Sequence, residues 1–176
     1  MKITQPGPHL DHMLRQTRWH HAQLSSMADI KANMLLTMSS VVITLCVPHV
    51  LKEPFQLSLL VLIGFCLITI GLAAYAVMPK IPLLPRLGRA PDVKSPAFNL
   101  LFFGDFTRLD YDEFLQAMEE VMNDPSLTYE AQVRELYTLG IFLVTKKYRF
   151  LRLAYFAFII GVGVTFAVLL LSIFVG

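Results

Sequence analysis

Charge is scarce in this sequence. Only 16% of the 176 residues are charged and 55% are apolar, whereas an ordinary soluble domain is about 25% charged. That imbalance argues against a conventional cytosolic enzyme and for a membrane protein. The length leaves room for one small domain and a few spans, which excludes a transporter built from two many-helix repeats. Cysteine is scarce too. Cys46 and Cys66 both fall inside apolar stretches, too few for a zinc cage or a disulfide framework. No GxxxxGK[ST], GxSxG, HExxH or CxxC pattern occurs, so the local signatures of nucleoside triphosphatases, hydrolases and zinc enzymes are missing. No catalytic residue is assigned. No metal ligands are assigned either, because His9 with His12 and the adjacent His20 and His21 lack an acid or cysteine positioned beside them. The first residues carry no apolar core or small-residue cleavage site and are expected to remain in the mature chain. Fifteen basic against thirteen acidic residues make no electrostatic case for nucleic-acid binding.

What is present is three uncharged runs. No Asp, Glu, Lys or Arg occurs between Lys31 and Lys52, from Phe55 to Pro79, or from Leu153 to Gly176, and each run is long enough to cross roughly 30 Å of hydrocarbon as a helix. Spans are expected near 32 to 50, 57 to 78 and 154 to 175. The fold class is therefore an all-α membrane protein with three transmembrane helices, a hairpin plus a C-terminal span, and a small helical cytoplasmic module. The corresponding segments are an amphipathic helix at 1–31, the hairpin at 32–78, a linker and module at 79–152, and the final span at 153–176. Fourteen of the fifteen Lys and Arg residues lie on one side of this layout, with Lys52 alone opposite. Basic short loops stay inside, which places the N-terminus in the cytoplasm and the C-terminus in the periplasm.

Span one is the most polar of the three. Asn33, Thr37, Ser39, Ser40 and Thr44 interrupt it, so it is expected to face other helices rather than lipid, and Pro48 with His49 is expected to close it early. Asp29, Lys31 and Asn33 form a polar cluster at its entrance. Ionisable residues at that depth need a partner or water, or they snorkel to the interface.

Pro79, Pro82, Pro85, Pro91 and Pro96 with Gly88 forbid a regular helix over 79–97 and predict an extended connector. Asp110 followed by Glu113 has capping-box spacing. It predicts a short helix with Phe114, Leu115, Met118, Val121 and Met122 on its buried face, stopped at Asn123, Asp124 and Pro125. From about Thr128 a second helix is expected, with Tyr129, Val133, Leu136, Tyr137, Gly140, Val144, Tyr148, Leu151 and Tyr155 on roughly one side. Nothing separates it from span three, so one rod of about 48 residues is expected, roughly 70 Å long. Residues 9–31 join span one in the same way, with Leu10, Met13, Leu14, Leu24, Met27 and Ala28 as an apolar stripe. Gly64, Gly71, Gly161 and Gly163 permit close helix approach.

Residues 101–125 carry seven acids against one base, Arg108, while 80–94 and 146–152 are basic. This polarity has two readings: acidic and basic helices neutralise each other within a bundle, or the basic elements hold an anionic ligand. The run KKYRFLR at 146–152 also suits anchorage of span three to lipid headgroups.

Three strings, ADIKANMLL at 28–36, NLLFFGDFTRL at 99–109 and YEAQVRELYTLG continuing into KKYRFLRLAYFAF at 129–158, resemble the transmembrane effectors of Pycsar antiphage systems in their order and spacing. The resemblance implies a partner pyrimidine cyclase that makes cyclic CMP or cyclic UMP during infection. It further implies that this protein answers by impairing the inner membrane, so that the cell dies before the phage matures. The activating cyclic nucleotide would be its ligand, with no other cofactor, and the chain would act as a homo-oligomer in the lipid bilayer. For such a ligand, a cyclic phosphate wants Arg or Lys and a pyrimidine wants an aromatic face. Arg108 beside Phe102, Phe103 and Phe106 offers both, as does Arg134 near Tyr137, although the acids around Arg108 oppose a phosphate. Thr37, Ser40 and Thr44 are the expected pore-lining residues. The rival readings are a constitutive holin-like channel and a non-enzymatic membrane docking protein.

Overall fold

The computed structural model describes residues 3, 5–52, 57–79, 95 and 98–175. Among the described residues every regular element is a helix: α1 Pro8–Lys52, α2 Leu57–Val77, α3 Phe103–Phe106, α4 Tyr111–Asn123, α5 Pro125–Phe142, a π-helical segment Leu143–Tyr148, and α6 Arg149–Val175. Three helical stretches are long and apolar enough to cross a membrane, Pro8–Leu51, Leu57–Val77 and Pro125–Phe174. The expected proline connector, with Pro82, Pro85, Gly88, Pro91 and Pro96, lies outside the described residues, as does the turn at 53–56.

The helices form two compact units. The first holds the described residues of 1–23 and 79–142, the second those of 24–78 and 143–176.

In the second unit the three helices meet through small side chains. Ala28 and Ala32 of α1, Ala73 and Ala76 of α2, and Ala154 of α6 form its core with Leu35 and Leu151. Alanine is what lets backbones approach where lipid supplies no hydrophobic drive between helices. Of the glycines expected to act likewise, only Gly161 does so, against Phe65; Gly64, Gly71 and Gly163 face open space. Pro48 does not close α1, which runs on to Lys52. A proline forfeits one backbone hydrogen bond, whereas ending the helix there would strand several more amides in an apolar setting.

In the first unit the amphipathic α4 packs Phe114, Ala117, Met118 and Val121 against Phe98, Leu100 and Leu109. Leu115 and Met122, expected on that face, are 51% and 71% exposed. The buried positions recur at three- and four-residue steps, and these two lie on the stripe's flank. Asp110 is the N-cap of α4, but its side chain makes no cap hydrogen bond, so the expected box is present in position only. The next helix begins at Pro125 rather than Thr128. Asp124 caps it, its Oδ1 accepting from the Ser126 N–H at 2.7 Å, and Pro125 occupies the first helical position where a missing N–H is harmless.

The helical run 125–175 contains the six-residue π segment that periodicity alone did not foresee. A π turn bonds one residue further along than an α turn and resets the face presented by the remainder of the helix. The expected continuous stripe fails on both counts: Tyr129 and Leu151 are buried and Val144, in the π segment, is 65% exposed, while Tyr137 is 71% exposed already within α5. In the first part of α1, Leu14 is buried but Met13 is exposed.

Candidate functional site

The first unit contains a cavity of about 430 Å³ between α4, α5 and the strip 98–100. Its α4 wall is Glu113, Gln116, Ala117, Glu120 and Val121; its α5 wall is Leu127, Glu130, Ala131 and Arg134. Helical spacing puts each set on one face.

The strip is built by local hydrogen bonds. Asp105 on α3 accepts from the Asn99 backbone N–H at 3.0 Å, and the Asn99 Oδ1 accepts from the Leu101 N–H at 3.1 Å. Gly104 lets the Phe102 ring lie against the backbone; a Cβ there would press on the ring and make it turn. The second bond sets the orientation of the Asn99 carboxamide. Its Nδ2 then finds no acceptor among the described residues, although Asn99 is 2% exposed and lines the cavity. A buried amide left unpaired costs about 1–3 kcal/mol.

Arg134 ties the strip to α5. Its Nη1 donates to the Ser95 and Phe98 carbonyls at 3.3 and 3.1 Å, and its Nη2 to Glu130 at 3.1 Å. Three of a guanidinium's five N–H donors are thereby used, and two find no acceptor among the described residues. Phe102, Phe103, Arg108 and Tyr137 are not among the residues lining this cavity. Phe102 and Phe103 stack on each other with ring centroids 4.9 Å apart, and Arg108 and Tyr137 are exposed. Sequence reasoning missed Asn99, Glu113, Gln116 and Glu120 as a wall. The helical step of Glu113, Gln116 and Glu120 was a legible signal; the orphaned amide was not.

A second cavity, about 360 Å³, lies where α1 and α5 meet Leu101. Arg18 pairs with Glu135 across it at 2.8 Å, and the Tyr129 hydroxyl donates to Asp11 at 2.7 Å. Burial pushes the Glu135 carboxyl above its ordinary range, and the Arg18 guanidinium only partly offsets this. A carboxyl raised on folding contributes stability below its ordinary pKa and loses it as pH rises through the raised value. At neutral pH ionised Glu135 is thus a net cost. Glu135→Gln is expected to raise the thermal midpoint at pH 7 by a few degrees, on the order of 1 kcal/mol, with the gain vanishing near pH 4. A lower midpoint at pH 7 would show that the ion pair outweighs burial.

Charge neutralisation within the first unit is limited. Among the described residues of this unit the α4 acids Glu113, Glu119 and Glu120 carry no ion pair, whereas Arg18 pairs with Glu135 and Arg134 with Glu130.

In the second unit the entrance cluster separates. Asp29 pairs not with Lys31 but with Lys147 of the π segment, whose Nζ donates to both carboxylate oxygens at 2.7 and 2.8 Å and to Ser25 Oγ at 2.8 Å. Tyr148 donates to the Leu24 carbonyl at 3.0 Å. Lys147 and Tyr148 therefore tie α6 to α1 instead of reaching for headgroups, while Lys31 and Asn33 are exposed. Along span one, Ser39 turns inward with Ala32 and Leu35, but Asn33, Thr37, Ser40 and Thr44 lie on the outward face. The latter three line a groove with Leu36, Val41 and Leu45. The polar positions were expected against other helices; within the chain the alanine face wins that contact because it packs closer. Thr37 and Thr44 donate to carbonyls of their own helix, Asn33 and Ser40, at 3.0 and 2.9 Å.

The PycTM description, Pycsar effector protein domain, matches residues 12–175. The chain belongs to the PycTM family. That membership makes it an antiphage Pycsar effector, of a transmembrane effector family rather than a known enzyme family, and implies pairing with a cyclase in a membrane context. No curated protein and no solved structure matches it. Both features of this PycTM chain, the α4–α5 cavity and the outward polar stripe of α1, fall within the matched residues.

Proposed function

We propose that this PycTM protein binds a cyclic pyrimidine mononucleotide made by its partner cyclase and, when bound, impairs the inner membrane, killing the infected cell before phage release. The observation that carries this reading is the polar stripe. Asn33, Thr37, Ser40 and Thr44 recur at steps of four, three and four on the exposed face of an otherwise apolar span, the repeat by which helices form a seam with copies of themselves. Thr37 and Thr44 spend their hydroxyl protons on their own helix, but their oxygens, together with Asn33 and Ser40, still give the face a polar surface that suits water or a like face better than lipid. A homo-oligomer with these stripes turned to a central path satisfies them. The excess of Lys and Arg on the module side supports a cytoplasmic N-terminus and a periplasmic C-terminus.

The α4–α5 cavity is the ligand site in this reading. Its volume lies within the range of small-molecule pockets, and Arg134 supplies two N–H donors for the cyclic phosphate. Phe102, Phe103, Arg108 and Tyr137 are proposed to contact ligand from a neighbouring subunit. Ligand binding shifts the population only as far as it prefers the assembled state.

The test is dye release from liposomes holding the purified protein, with each 3′,5′-cyclic nucleotide added in turn. Release is expected with a cyclic pyrimidine alone. The triple variant Thr37→Val, Ser40→Ala, Thr44→Val is expected to lose at least tenfold in release rate while retaining nucleotide binding. Release without nucleotide would favour the constitutive channel, and no release from correctly oriented protein would favour the docking protein. A triple variant that still leaks would remove the stripe from the pathway.

A further inference from the structure

Resting on the reading of the α4–α5 cavity as the nucleotide site, we propose that the π segment Leu143–Tyr148 is the switch of this effector, closing into α-helix when ligand binds and so passing the signal from α5 to the spans. Its place in the chain is the first observation. The helical run from Pro125 to Val175 carries Glu130, Ala131 and Arg134 of the cavity wall near one end and the span α6 at the other. The π turn begins at Leu143, where the chain passes from one compact unit to the other. A single π turn is an α-helix holding one residue too many. Closing it would turn the helix beyond it by about 100°, and shift it by about 1.5 Å, relative to the helix before it.

The surplus residue is held from both sides. Before it, Tyr129 and Glu135 of α5 are buried; beyond it, Leu151 and Ala154 are fixed in the alanine core of the spans. Each face is set by its own packing, and the π turn absorbs the difference of one residue between them. The two halves of the segment differ in how they are held. Lys147 gives its hydrogen bonds to Asp29 and Ser25, and Tyr148 donates to the Leu24 carbonyl, so the second half moves with α1. The first half turns Val144, Thr145 and Lys146 outward, and the β-branched Val144 and Thr145 weaken its preference for α geometry. A turn at the segment therefore reaches α1, the helix that carries Asn33, Thr37, Ser40 and Thr44. Nucleotide drives the change only as far as it binds the closed form more tightly.

The experiment removes the surplus residue. Deletion of Val144, which is 65% exposed, lets the run close as α-helix with the faces of α5 and α6 kept in their present phase. The deletion variant is expected to bind cyclic CMP or cyclic UMP within about twofold of the parent and to keep its thermal midpoint. It is expected to lose about tenfold or more of the nucleotide-triggered dye release. Spin labels read the turn itself. Ile141→Cys/Leu153→Cys, in a Cys46→Ala/Cys66→Ala background in nanodiscs, puts labels at exposed positions on either side of the segment. The nucleotide that triggers release is expected to change the label distance by about 3 Å or more, and to leave it unchanged in the deletion variant. Release at the parent rate from the deletion variant would overturn the switch and mark the π turn as a static insertion. An unchanged distance in labelled protein that binds nucleotide would do the same, and this measurement decides alone should the deletion prevent folding. Failure of every 3′,5′-cyclic nucleotide to bind the parent would instead overturn the nucleotide reading, and the switch with it.

Discussion

Asp29→Ala is expected to destabilise the membrane unit by about 2–3 kcal/mol, seen as a lower thermal midpoint in detergent or nanodiscs. The Lys147 ammonium is only 14% exposed and directs its hydrogen bonds to Asp29 and Ser25. Removing the carboxylate strands a largely desolvated cation, and that leftover charge is the larger part of the loss. The estimate sits below the full value for a buried pair because Asp29 itself is 41% exposed. Removing both partners should therefore be milder than removing one. Asp29→Ala/Lys147→Met is expected to recover most of the lost stability, the signature of a coupled pair. If the double variant were no better than Asp29→Ala alone, the ion pair would not be the source. The same tie holds the π segment against α1, through Lys147 to Asp29 and Tyr148 to the Leu24 carbonyl, so the single variant is also expected to weaken nucleotide-dependent leakage.

Gly161→Ala is the second substitution with a large expected effect, also about 2–3 kcal/mol, measurable as loss of helicity during denaturing-detergent titration. A Cβ at position 161 would overlap the Phe65 Cβ and lie 2.8 Å from its Cγ. Neither atom is the free end of a flexible side chain, so α2 and α6 must move apart to admit it. Because the overlap is with Cβ, Phe65→Ala should not rescue Gly161→Ala, whereas Phe65→Gly should relieve it. Alanine at Gly64, Gly71 or Gly163 meets no atom within 4 Å and is expected to change stability by less than about 1 kcal/mol, or to raise it through helix propensity. Four equal outcomes would mean that α2 and α6 do not approach closely at Gly161.

Much of the helix pattern was legible because it rests on local rules. Uncharged runs announce spans, since each backbone amide in hydrocarbon must be bonded within its own segment, and the three-and-four recurrence along α4 announces an amphipathic helix. The same periodicity misled where a helix changed type. The run from Tyr129 to Tyr155 assumed one face and a constant turn, but Tyr137 already faces outward within α5 and the π segment at Leu143–Tyr148 changes the turn beyond it. Asp124 and Pro125 were read only as a stop, although an N-cap followed by proline equally starts a helix.

By itself the sequence determined the all-α membrane class, the places of the apolar spans, the polar composition of span one and the motif order that carries the family resemblance. These depend on residue type and near-neighbour spacing. Tertiary structure alone decided that Lys147 rather than Lys31 answers Asp29, that Gly161 is the glycine in close contact, and that the hydroxyl stripe faces outward. It also decided that Asn99 is left with an unpaired donor beside the acids of α4. Each of these is a relation between residues far apart in the chain, or a competition between acceptors for one group, and such choices are set by which side chains pack closest once helices meet.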